Sequence, residues 1–230
     1  MKKSYLSISA ICILMLGALV GCDCSTKQSC DTHQKSEHHV AINTPDEAIA
    51  ELKAGNARFV ESKLSNTNFK EQIEATKGGQ HPHSLVLTCL DSRVPPEIIF
   101  DQGIGNLFVA RVAGNTEDAN IVGSLEFATK IKHTKLIVVL GHSHCGAVEG
   151  AIANAQLGQL TQLLDQIKPA IVGDTTNKAQ MVELTAKRNV TKTIEDILAA
   201  SPTISEQVQK GEVKIVSAYY NIENGIVAFE

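Results

Sequence analysis

Apolar residues recur in this chain in two rhythms. Four short runs are apolar or β-branched at almost every position: SLVLTCLD (residues 84–91), NLFVARV (106–112), KLIVVLG (135–141) and VKIVSAYY (213–220). Runs of that kind suit strands buried on both faces of a parallel sheet. Around them the apolar positions fall three or four apart, as on one face of a helix. Ile49, Leu52, Phe59 and Val60 mark the first such face. It is opened by TPDE, with Thr44 as N-cap, Pro45 at the first helical position and Glu47 three residues after the cap, and it should end near Ser62. Ile121, Val122, Leu125 and Phe127 mark a helix over 119–132, and Leu157, Leu160, Leu163 and Leu164 one over 156–171. Ala186, Val190, Ile194, Ile197 and Leu198 mark a fourth over 182–199. Strands alternating with helices predict an α/β fold, a mostly parallel central sheet flanked by helices on both faces. NGIVAFE (224–230) follows YYNIE across an Asn-Gly turn signal, and so is expected to close the sheet as an antiparallel strand. No internal repeat is present.

The N-terminus has a different pattern. Met1-Lys2-Lys3 is basic, and residues 8–20 are almost wholly apolar but too few to span a bilayer comfortably. That is the pattern of a secretory signal peptide, here residues 1–21. It ends Leu19-Val20-Gly21-Cys22, which resembles the bacterial lipobox and implies cleavage before Cys22 and lipidation of Cys22. An ordinary signal cut nearby would leave Cys22 a plain thiol. Residues 22–43 are polar and aperiodic, a flexible tether between lipid and a folded domain over 44–230. His33, His38 and His39 in it read as parts of a solvated linker rather than a metal site. The expected location is extracytoplasmic, on the periplasmic side, with the membrane reached through the lipid alone. Asp23 resembles an inner-membrane retention signal, and the choice between inner and outer membrane stays open.

Charge narrows the partners. The 230 residues carry a formal net charge of −4, and loss of Lys2 and Lys3 makes it −6. No basic cluster remains, so nucleic acid is not an expected partner. Of six cysteines, Cys12 lies in the signal, Cys22 is the lipidation site, and Cys24 and Cys30 fall in the tether. Only Cys89 and Cys145 belong to the domain. A domain of this size needs no disulfide staple, so that pair reads as chemical.

Two of the expected strands end in unusual residues, Cys89-Leu90-Asp91-Ser92-Arg93 and Gly141-His142-Ser143-His144-Cys145. Sites in open parallel sheets form beyond the carboxyl ends of strands, so both segments belong at one rim. His142 and Cys145 are three apart, and one turn aims both at a point; Cys89 supplies a third arm. Two thiolates and an imidazole suit zinc and leave a fourth position for water, as catalytic zinc sites do. His144, between the other two, should face elsewhere. Asp91 and Arg93 flank Ser92, and an extended backbone would put both on one side. They read either as a strand-end ion pair or as a carboxylate held by an Arg fork close to the metal, accepting a hydrogen bond from its water or ligating it.

CLDSR with GHSHC resembles the Cys-x-Asp-Ser-Arg and His-x-x-Cys signature of the β-class carbonic anhydrases. ELKAGNARFV, SRVPPEIIFDQGIGNLFVARVAGN, GSLEFA and VKIVSAYYNIENGIV are similar to family sequence as well, so the resemblance spans about residues 44–230. It implies Zn2+ on Cys89, His142 and Cys145, a catalytic dyad of Asp91 and Arg93, and reversible hydration of carbon dioxide to bicarbonate by zinc-activated water. It implies homodimers or larger homo-oligomers, N-terminal helices reaching over the partner. A regulatory bicarbonate pocket of some members includes a tryptophan; this chain has no Trp. Competing readings are a related zinc hydrolase acting on carbonyl sulfide or carbon disulfide, and a zinc-binding lipoprotein without turnover.

Overall fold

A computed structural model describes residues 42–173 and 176–230. The signal peptide, Cys22 and nearly all of the tether lie outside the described residues. Of the segment expected as tether, Ile42 packs against the core, and Asn43 N–H donates to the Glu47 carboxylate at 2.8 Å. The capping box then forms as the sequence requires. Thr44 Oγ1 accepts Glu47 N–H at 3.2 Å, Glu47 accepts Thr44 N–H at 3.0 Å, and α1 runs over Pro45–Val60.

The sheet has five strands in the order β2-β1-β3-β4-β5. β1 (Ser84–Thr88), β2 (Leu107–Arg111), β3 (Leu136–His142) and β4 (Lys214–Tyr220) are parallel, and β5 (Val227–Phe229) is antiparallel to β4. The expected order of strands and helices is observed, and β1 and β3 are buried at every position. β2 corrects an expectation. It is an edge strand with every residue half-buried, because the crossover sends the chain outward past β1, which local composition does not encode.

Alternate residues of the central strands feed two cores. On one face Val86, Leu136, Val138 and Leu140 pack with Ala48 and Leu52 of α1 and with Ile99 of α3 (Pro96–Ile99). On the other, Leu85, Leu87, Ile137 and Val139 pack with Leu125 of α4 (Ala119–Glu126). Val190 and Ile197 of α7 (Lys178–Ala200) and Ile204 of α8 (Pro202–Gln209) complete that layer. The helix expected over 119–132 is α4 followed by a π-helical turn, Phe127–Ile131. That expected over 156–171 is α6 (Gly158–Ile167) with a 3-10 turn after it. Two shorter helices, α2 (Phe69–Thr76) and α5 (Gly146–Ile152), complete the set. Among the described residues no helix is long and apolar enough to cross a membrane.

α1 is pinned where the sheet ends. A Cβ on Gly55 would lie 1.8 Å from the Phe100 carbonyl oxygen, so the helix approaches that turn only as glycine. Asn56 donates to the Ile99 and Gly225 carbonyls at 3.1 and 2.9 Å and accepts Val227 N–H at 2.9 Å. Asp101, its side chain 2% exposed, bonds Arg58 Nε at 2.6 Å, Ser65 Oγ at 2.8 Å and the backbone N–H of Ser65 and Asn66. Burial pushes its carboxyl up, but Arg58 and the Ser65 and Asn66 donors outweigh it, and the pKa falls below the usual carboxylate range. A depressed folded pKa means stability present above the unfolded value and lost as pH falls through the folded one. Asp101→Asn is therefore expected to cost about 2 kcal/mol at pH 7. In urea melts of both proteins the difference should shrink as the parent carboxyl is protonated. A difference unchanged at pH 3 would contradict the charge pairing.

Candidate metal centre

β1 and β3 are neighbours in register, Thr88 opposite Leu140. The chain therefore leaves both strands at one rim, Cys89 just past β1 and His142 as the last residue of β3. His144 then adopts left-handed backbone, φ 55°, and the turn it makes brings Cys145 back to head α5. The outcome is the expected convergence. The ligating atoms of Cys89, His142 and Cys145 lie within 4.8 Å of one another, and all three residues are buried.

The chemistry of this group fits a soft, tetrahedral divalent ion. Both cysteines are free thiols with sulfurs 3.9 Å apart. Two sulfurs each about 2.3 Å from a tetrahedral ion stand about 3.8 Å apart. His142 Nδ1 is 2.8 Å from the Ser143 carbonyl, which can only accept, so Nδ1 carries the proton. Nε2 is left with its lone pair, buried and without a hydrogen-bond partner among the described residues. An orphaned imidazole nitrogen facing two thiols is a metal-ligand arrangement, its tautomer fixed from behind. The S–H of Cys145 hydrogen-bonds Cys89 and, with Gly114 N–H helping against burial, holds the Cys89 thiol far below its usual range. The same bond, together with burial, pushes Cys145 up.

Asp91 and Arg93 are paired, though not through extended backbone. Residues 91–94 form a turn in which Val94 N–H reaches the Asp91 carbonyl and Arg93 N–H donates to Asp91 Oδ1 at 2.9 Å. That Asx turn folds Arg93 onto the carboxylate, Nε to Oδ1 at 2.9 Å and Nη2 to Oδ2 at 2.7 Å. Arg93, with burial opposing, holds the Asp91 carboxyl down at about 2. Asp91 does not join the three-donor group, and no fourth His, Cys, Asp or Glu does so among the described residues. His144 faces away. Its ring is 57% exposed, lies 3.3 Å from Glu223, and lines a cavity of about 910 Å³ that contains none of the three donors.

Two contributors escape a reading of the sequence. Arg111, the last residue of β2, donates from Nε to the Cys89 carbonyl at 3.1 Å and from Nη2 to the Asp91 carbonyl. Gly114 N–H donates to Cys89 Sγ at 3.2 Å. VARVAGN holds both, but only the pairing of Thr88 with Arg111 shows that this stretch lies beside Cys89.

A family model described as carbonic anhydrase matches residues 84–227, the span from β1 to β5 that contains every donor named above. The chain belongs to the carbonic anhydrase family. Carbonic anhydrase 2 of Mycobacterium tuberculosis is 35% identical over 189 residues, covering 79% of this chain and 90% of that protein. A carbonic anhydrase of Mycolicibacterium smegmatis is 32% identical over 191 residues, 80% and 93% of the two chains. Among solved structures, one of the tetrameric β-carbonic anhydrases of Sordaria macrospora superposes with a TM-score of 0.64 at 27% identity. It covers 80% of this chain and 96% of that one. The mostly parallel sheet with its antiparallel last strand is thus a β-carbonic anhydrase fold, as the sequence signature implied.

Proposed function

We propose that the protein is a zinc-dependent carbonic anhydrase that interconverts carbon dioxide and water with bicarbonate and a proton. The observation that carries this reading is the cluster of Cys89, His142 and Cys145 around an unpartnered imidazole nitrogen. Bound by these three residues, zinc would polarise a water and lower its pKa toward neutrality. The remaining tasks belong to the chain. Burial of the three donors keeps bulk water from the reacting centre, where electrostatic interactions are consequently stronger. Asp91 is ionised throughout the physiological range. Its carboxylate accepts a hydrogen bond from the reacting water and turns that water's lone pair toward carbon. Arg93 commits its fork to Asp91 and so fixes the acceptor rather than binding substrate. Carbon dioxide is apolar and needs no charged clamp; the released proton passes to buffer. In stopped-flow hydration assays the full-length protein should be active, lose activity with a zinc chelator and regain it with zinc. Turnover that survives complete removal of metal would overturn the proposal.

The reading extends to place and assembly. Residues 1–21 serve as the signal peptide, and lipidated Cys22 anchors the enzyme outside the cytoplasm, on the periplasmic side, through the tether. The support is the basic start, the short apolar run and Leu19-Val20-Gly21-Cys22. Cys22→Ala is expected to move the protein from the membrane fraction to the soluble one. Finding the parent itself wholly soluble would contradict anchoring. Phe69 and Ile73 of α2, 61% and 58% exposed, support a homodimer or larger homo-oligomer, as does the tetrameric relative.

A further inference from the structure

The two sulfurs of the metal centre are supported in different ways. Cys145 heads α5, and the amides of Ala147 and Val148 in that helix favour its thiolate. Cys89 has left β1 and heads no helix. Its sulfur takes a hydrogen bond from Gly114 N–H, on a 3-10 turn 25 residues further along. Gly114 and Asn115 both have left-handed backbone there, φ 73° and 46°. Glycine takes that conformation freely and asparagine tolerates it, so the turn itself does not fix where the Gly114 N–H points; its neighbours do. One side is closed by Ile167, whose Cδ1 would lie 2.5 Å from a Cβ on Gly114. The other is held by Asn189. It lies in the middle of α7, is 1% exposed, and donates from Nδ2 to the Gly114 carbonyl at 2.7 Å. An asparagine deep inside a helix is poor in propensity and costly to desolvate, so the bond it makes needs a reason.

We infer that Asn189 is a positioning residue of the metal centre: by gripping the Gly114 carbonyl it aims the Gly114 N–H at Cys89 Sγ and sets the first sulfur of the ligand set. The inference rests on the zinc reading of that set. Partners one step removed from a metal typically affect its affinity 10- to 100-fold. Gly114 is such a partner and Asn189 acts through it, so Asn189→Leu, similar in shape but with no donor, should weaken zinc retention by about tenfold, the low end of that range, read in full-length protein by competition with a chromophoric chelator. Val190→Ala, the next residue of α7 and equally buried, should lower stability through a cavity yet hold zinc as the parent does. A second measurement needs no variant. In parent protein loaded with cadmium-113, the Gly114 amide proton should show scalar coupling to the metal through Cys89 Sγ.

Parent-like zinc affinity in Asn189→Leu would overturn the inference, as would a missing Gly114 coupling; should the variant not fold, the coupling alone decides. A parent that loads one metal per chain while Asn189→Leu matches it removes only this inference. A parent that takes up no metal removes the zinc reading as well.

Discussion

Cys145→Ser is expected to strip the protein of zinc and reduce carbon dioxide hydration to the level of buffer alone. Cys145 gives one of only three protein donors, and no fourth His, Cys, Asp or Glu stands by among the described residues to replace it. A serine hydroxyl is a hard, neutral donor, whereas zinc in such sites takes thiolate. His144→Ala is the matched control, one residue away. That ring faces Glu223 at 3.3 Å on an exposed surface, and such pairs contribute little. It should keep both zinc and activity at parent level. Metal analysis and the hydration assay, with circular dichroism to separate loss of metal from loss of fold, check the pair. Zinc retained by Cys145→Ser, or lost by His144→Ala, would mean the ligand set is misassigned.

Asp91→Asn is expected to do something different: keep its zinc and lose about 10²-fold or more in turnover. The carboxylate lies outside the ligand group, so the metal does not depend on it. What the amide loses is a charged acceptor with both oxygens fixed by Arg93. Its NH2 group would stand in place of Oδ2 against Arg93 Nη2, a donor facing a donor, while its Oδ1 could still accept Arg93 N–H and keep the turn. Hydration rates normalised to bound zinc measure this directly. Parent-like turnover in Asp91→Asn would remove Asp91 from the mechanism, and loss of zinc would make it a ligand.

The two kinds of residue differ in how they could be read. The central strands were legible because β1 and β3 bury every side chain, which leaves an unbroken apolar run. α2, α3, α5 and α8 were not anticipated, since eight residues or fewer show too little periodicity to mark a face. The edge position of β2 depends on the route of a crossover, not on its composition. In the site, His142 and Cys145 were legible because their spacing is local, and Cys89 because parallel strands end at a common rim. The Asp91–Arg93 pair was visible as a pair, but an Asx turn makes it, where extended backbone was expected. Arg111, Gly114 and Asn189 act across 20 or more residues through strand register and helix packing, so nothing in their own neighbourhoods marks them.

X-ray absorption at the zinc edge, on full-length protein with its metal content measured, tests the central assignment most directly. One zinc per chain is expected, with two sulfurs at about 2.3 Å, one imidazole nitrogen at about 2.0–2.1 Å and one oxygen completing four. A protein without zinc, a shell with fewer than two sulfurs, or one filled by four protein sulfur and nitrogen donors would contradict it.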